Sequence, residues 1–249
     1  MRLMLIFPLC LIGAKVFAQE KQITNQNLYW VRYYNQLKIN KTFTWHNELD
    51  ERRFLSSNIQ HHFIGHSRLH YKLSPSLELG AGLTYSLQSP QIPSSNSGLV
   101  VPELRPTQEI NYSFSTSPKL KIQQRIRIDE RFIHKNYSNE LLDGYSFNLR
   151  CRYRVQLNYL LNRADSRSST TLKANTEIML NTGRKVIYNQ FDQRRLYVGI
   201  EQGFGKNISA ELGYMNLFQQ RASGIDFYNR NIIRFTVYHK INLRKIESK

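Results

Sequence analysis

Polarity along this chain alternates with a period of two over long stretches. In HHFIGHSRLHYKL, Phe63, Gly65, Ser67, Leu69, Tyr71 and Leu73 fall on one face, while His62, His66, Arg68, His70 and Lys72 fall on the other. The next segment, LELGAGLTYSLQ, sets Leu77, Leu79, Ala81, Leu83, Tyr85 and Leu87 against Glu78, Thr84, Ser86 and Gln88, and Ser74-Pro75-Ser76 supplies the turn of a hairpin between them. KLKIQQRIRIDERF repeats the pattern, with Leu120, Ile122, Ile126, Ile128 and Phe132 opposite Lys121, Arg125, Arg127, Asp129 and Arg131. In RCRYRVQ, arginine occupies positions 150, 152 and 154. A helix would scatter these three around its circumference, whereas a strand places i, i+2 and i+4 on one face. NLYWVRYYNQL, FTWHNELDERR, EINYSFS, LKANTEIML, RRLYVGIEQGF, ISAELGYMNLF and NIIRFTVYHKI follow the same template less cleanly, giving about eleven strands in all.

The connections alternate as well. Short ones are expected at Asn40-Lys41, Ser74 to Ser76, Ser117-Pro118 and Gly205 to Asn207, and longer ones near 89–104, 134–145, 181–191 and 219–229. The link near Leu55 to Ser57 is a short exception, and residues 162–170 make a longer turn. Short turns at one rim, long loops at the other and alternating segments of about ten residues form the signature of an outer-membrane barrel. A soluble sandwich also alternates, but it buries its apolar faces between two sheets. Here nearly every segment has an apolar face opposite one rich in Arg, Lys, Glu and His, which suits lipid outside and a polar lumen inside. The expected fold is an all-β, antiparallel, up-and-down transmembrane β-barrel. Single-chain bacterial barrels use even strand numbers, so the expected count is about 12, within a range of 10–12.

Composition adds context. The 249 residues carry a formal net charge of +17, with 15 Tyr and 13 Phe, and the mean hydropathy is −0.51. No apolar run outside the first residues is long enough for a membrane-spanning helix. Arg2, the apolar Leu3 to Ala14 and the small residues of Val16-Phe17-Ala18 read as a secretory signal cleaved after Ala18. The expected organisation is therefore a signal peptide over 1–18 and one barrel domain over 19–249, located in the cell outer membrane. Cys10 falls within the signal and lacks the small preceding residue of a lipid-modified cysteine. Cys151 is then alone, and no intramolecular disulfide is expected. Export argues against nucleic acid as the partner of so basic a chain. Trp30, Trp45 and the tyrosines suit interfacial girdles.

The stretches PELRPTQEINY, RIRIDERF, RCRYRVQLNY and YNQFDQRRLYVGIEQGFGKNISAELGYMNLFQQR together resemble the family called domain of unknown function 2490, outer-membrane barrels of Gram-negative bacteria. The resemblance runs from about Leu28 to Leu243. It implies architecture and location but carries no activity, so no catalytic residue is transferred. The chain departs from the family pattern at Asp129-Glu130-Arg131-Phe132, where Glu-Gln-Arg-Phe is usual, and in ending with LRKIESK rather than an aromatic residue.

Six arginines, Arg125, Arg127, Arg131, Arg150, Arg152 and Arg154, are expected to face the lumen. Confined like charges repel unless paired, and the candidate acidic partners are Glu48, Asp50, Glu109, Asp129 and Glu177. Two readings follow: a salt-bridge network that fills and stiffens the barrel, or an anion site or anion-selective pore. His62, His66 and His70 lie four residues apart, about 13 Å along a strand, and cannot share one metal ion. His46, Glu48 and Asp50 also share a face, but no nucleophile can be paired with them. The alternative function, a membrane-embedded hydrolase acting on lipid or lipopolysaccharide, therefore has no nameable catalytic residue. No cofactor or metal is expected. The expected partners are outer-membrane lipid and lipopolysaccharide, with small anions, and the expected state is a monomer of structural or passive-transport role.

Overall fold

The computed structural model describes residues 21–165, 168–183, 186 and 190–243; the signal reading and the end of the LRKIESK stretch lie outside them. Eleven strands close into a barrel. They are β1 (Ile23–Lys38), β2 (Phe43–Phe54), β3 (Gln60–Lys72), β4 (Leu77–Gln88), β5 (Val101–Ser115), β6 (Leu120–Tyr137), β7 (Glu140–Asp165), β8 (Ser168–Thr182), β9 (Phe191–Phe204), β10 (Ile208–Gln220) and β11 (Phe227–Asn242). Each pairs antiparallel with its sequence neighbours.

The count of eleven lies within the expected 10–12, and the seam shows how an odd number closes. β1 and β11 pair in parallel, from Ile23 opposite Phe227 to Lys38 opposite Asn242. An odd number of up-and-down strands leaves its first and last strands pointing the same way, so a parallel ladder is what closes the sheet without a twelfth strand. Side chains span the same seam: Arg230 Nε donates to Gln26 Oε1 at 2.7 Å, and Asn35 Nδ2 donates to the His239 carbonyl at 3.2 Å.

The short rim is built by local turn chemistry. The Asn40 carboxamide oxygen accepts from the Thr42 and Phe43 amides at 2.8 and 2.7 Å, and Gly205 takes φ +73° between β9 and β10. At the opposite rim one expectation fails. Residues 134–145 are not a loop: β6 and β7 run on as an extended hairpin closed by Ser138 and Asn139, with Ser138 in the left-handed region at φ +54°. The rings of Phe132 and Phe147 lie 5.0 Å apart, and those of His134 and Tyr145 also 5.0 Å apart, so cross-strand aromatic pairs hold the extension together.

Alternation sorts the faces. Val31, Leu49, Leu69, Leu83, Ile110, Ile126, Tyr153, Ile178, Val198, Leu212 and Ile233, one from each strand, all lie exposed on the outside. The interior is mainly ionic, with one departure from the expected polarity: Leu28, Trp30, Phe54, Tyr197, Met215, Leu217 and Ile232 form a buried apolar cluster inside the wall of β1, β2, β9, β10 and β11. Tyr197 lies across two glycines there, because a Cβ on Gly199 or Gly213 would stand 2.2 Å from its hydroxyl. Gly213→Ala is therefore expected to cost about 1–3 kcal/mol by overpacking. Chemical denaturation of Gly213→Ala in the wild-type and Tyr197→Ala backgrounds checks this, the added cost disappearing in the second.

Candidate functional site

The interior encloses a cavity of about 1360 Å³, lined from Lys41, Ser74 and Lys206 at the short-turn rim to Gln91, Gln220 and Ser223 at the long-loop rim. All six arginines singled out in the sequence line it. The β6–β7 register sets Arg125 opposite Arg154 and Arg127 opposite Arg152. Like charges directly opposed on one face destabilise a sheet, so carboxylates from the flanking strands become part of the fold.

Five of the six arginines receive such a partner. Arg125 donates to Glu177 at 2.6 Å, Arg127 Nε to Glu109 at 2.6 Å, and Arg152 to both Asp129 at 3.2 Å and Glu177 at 3.0 Å. Arg131 pairs with Glu103 at 2.5 Å and Arg150 with Asp192 at 3.0 Å. Arg154, among the described residues, has no carboxylate within ion-pair distance, and its Nε is buried without a hydrogen bond. Of the five acids named from sequence, Glu109, Asp129 and Glu177 thus meet the arginine cluster. Glu48 and Asp50 do not: Glu48 holds Arg32 at 3.4 Å and Arg68 at 3.2 Å, and Asp50 holds Arg52 at 2.6 Å.

Glu103 and Asp192 were missed for different reasons. Glu103 shares the face of Glu109 by simple alternation, so its inward position was readable. Asp192 and its neighbour Gln193 are both buried, because the β8–β9 register shifts between Met179 and Leu180; a bulge breaks the period that sequence reading relies on. A second missed centre is Glu211, which gathers Arg234 at 2.6 Å, Lys173 at 2.7 Å, the Tyr197 hydroxyl at 2.5 Å and the Tyr238 hydroxyl at 2.9 Å.

The two mouths differ. At the long-loop rim Arg230, 1% exposed, is held by neutral oxygens, Gln26 Oε1 at 2.7 Å, Gln219 Oε1 at 2.6 Å and Gln91 Oε1 at 2.9 Å. Gln91 comes from the 89–100 connection, and His61 also meets its side chain at 3.0 Å. At the short-turn rim Lys38, Lys41, Lys72, Lys121, Lys206 and Lys240 all line the cavity and are exposed. None of the six has a carboxylate partner among the described residues. Over the whole lining, Lys and Arg outnumber carboxylates by more than two to one.

The profile of the family described as "Protein of unknown function (DUF2490)" matches residues 27–229. The chain belongs to the DUF2490 family. No curated protein matches it. In this DUF2490 barrel His46, Glu48 and Asp50, which share one face of β2, are buried and line the cavity. His62, His66 and His70 all line the cavity, His62 Nδ1 meeting His61 Nδ1 at 2.9 Å and His66 Nδ1 the Thr84 hydroxyl at 2.5 Å. Cys151 is outward and exposed.

Removing a shared acid should be far more damaging than removing a mouth lysine. Glu103 is fully buried between Arg105, at 2.7 Å, and Arg131. Glu103→Gln leaves two buried guanidiniums without a counter-charge and is expected to cost about 3–5 kcal/mol. Lys121→Gln should stay within about 0.5 kcal/mol. Denaturant midpoints of the two variants make the comparison.

Proposed function

We propose that this chain is an exported, signal-cleaved barrel of a Gram-negative outer membrane, monomeric, whose interior admits small anions and passes them passively. The observation that carries the reading is the set of six unpartnered lysines converging on one mouth of a cavity whose deeper cations are mostly ion-paired. Mouth cations of one sign raise the local concentration of counter-ions and filter by charge. Arg154, beside Arg125 and with no carboxylate partner among the described residues, offers entering anions a donor fork further in.

The membrane location is supported by the apolar belt on every strand, the reverse of a soluble domain, whose large exposed apolar patches would mark it for association. Lipid and the acyl portion of lipopolysaccharide would cover this belt. The paired core gives the barrel rigidity, so a structural contribution and passive transport coexist in one design.

The test has two arms. Cell fractionation should recover the mature chain, beginning at Gln19, with the outer membrane. In planar bilayers the purified protein should pass chloride in preference to potassium, with the preference shrinking as salt rises. Replacing Lys38, Lys72 and Lys240 by Glu should lower or reverse it. A silent bilayer or a cation preference in the wild type overturns the transport reading, and recovery in the soluble periplasm overturns the location.

A further inference from the structure

Histidines that cannot share an ion along one strand are brought together across strands. His46 on β2 and His70 on β3 are diagonal neighbours, since Thr44 stands opposite His70, and their rings stack at 3.9 Å with planes 5° apart. Glu78 on β4 is diagonal to His70 in turn, Lys72 standing opposite Glu78, and its Oε1 lies 2.5 Å from His70 Nδ1. One ligand atom from each of the three residues falls within 4.8 Å of the other two.

What surrounds the three points to a ligand. The Tyr34 hydroxyl meets His46 Nδ1 at 2.5 Å, which leaves Nε2 of that ring available. His70 is 3% exposed, and its Nε2 makes no hydrogen bond of good geometry although Glu109 Oε1 is 3.3 Å away. Space for this arrangement exists because residue 80 is glycine: a Cβ there would stand 2.9 Å from Glu109 Cγ and 3.0 Å from His70 Nε2. The nearby cations are already engaged, Arg68 by Glu48 at 3.2 Å and Arg127 by Glu109 at 2.5 Å.

We infer that His46, His70 and Glu78 bind one divalent transition-metal ion of the zinc class inside the short-turn mouth. Two imidazoles and a carboxylate are a zinc-type donor set, and three protein ligands leave one coordination position open to the cavity. The ion takes the place of the proton between His70 Nδ1 and Glu78, and the neutral ring keeps its one proton on Nε2, facing Glu109. Glu78, with a side chain one-third exposed, is free to draw back as the ion enters, and the stacked rings tilt apart around it. Tyr34 behind His46 and Glu109 behind His70 are then the outer hydrogen-bonding groups that orient metal-bound imidazoles. The site is independent of the anion reading, since its ligands are neither the mouth lysines nor Arg154.

The test uses the full mature chain, refolded and metal-free. Titration with zinc chloride, followed by calorimetry, should give saturable binding of one ion per chain, and cobalt(II) should develop the visible absorption of a low-coordinate N/O site. His70→Ala and Glu78→Gln should each weaken zinc binding at least about tenfold, and Tyr34→Phe by roughly tenfold through the lost outer bond. His62→Ala, an interior histidine outside the cluster, should leave binding unchanged. If His70→Ala does not fold, Glu78→Gln decides, because its side chain reaches the mouth rather than the packed interior. No saturable binding to the folded wild type, or equal affinity in Glu78→Gln, overturns the site.

Discussion

An up-and-down sheet of eleven strands can close only if its first and last strands run in parallel, and the rest of the molecule depends on that ladder. Closure leaves no edge with unpaired backbone groups, the condition that lets a sheet stand with its apolar side outward. It also fixes the phase of alternation across the seam. With Trp30 level with Arg234 and Gln26 level with Arg230, inward positions of β1 meet inward positions of β11, and the apolar cluster and the Arg230 cradle assemble across the junction. A slip of one residue would turn every side chain of one strand to the wrong face.

The second constraint follows from the first. Closing the sheet gathers the charged faces of eleven strands into one interior, where isolated charges are costly. The solution is sharing: Glu177 serves Arg125 and Arg152, Glu103 serves Arg105 and Arg131, and Glu211 serves Lys173 and Arg234. Sharing lets few acids hold many cations, and it leaves the surplus where water can reach, at the lysine-lined mouth. Arg230 is the exception that defines the other mouth, a buried cation with no carboxylate partner among the described residues, held by glutamine oxygens and stacked over Tyr228. Such buried ionic groups are weak evidence for net stability; their clearer role here is to fix the interior surface on which any small ligand would act.

Much of this was readable from period-two alternation. The inward positions of the six arginines and of Glu109, Asp129 and Glu177 follow from their parity within KLKIQQRIRIDERF, RCRYRVQ and neighbouring segments. Three things were not. The eleven strands fall within the expected 10–12, but the way they close was not legible, since nothing local in β1 or β11 announces parallel pairing. The 134–145 hairpin hides because its residues read equally as loop or strand until His134 meets Tyr145 across it. Contacts between strands, such as Arg150 with Asp192 or His46 with His70, depend on register and bulges, which a single sequence does not encode in its spacing.

The parallel seam is the claim on which the account rests, and cysteine pairing across it tests that claim most directly. In a chain with Cys10 and Cys151 replaced by alanine, one variant carries cysteines at Tyr29 and Ile233, and another at Tyr33 and Val237. Parallel pairing holds both pairs level, so both variants should form an intramolecular disulfide on mild oxidation, visible as a mobility shift reversed by reductant. Cross-linking of only one pair is what an antiparallel arrangement would produce, and cross-linking of neither would mean an additional strand or an open edge; either result contradicts the closed eleven-stranded barrel.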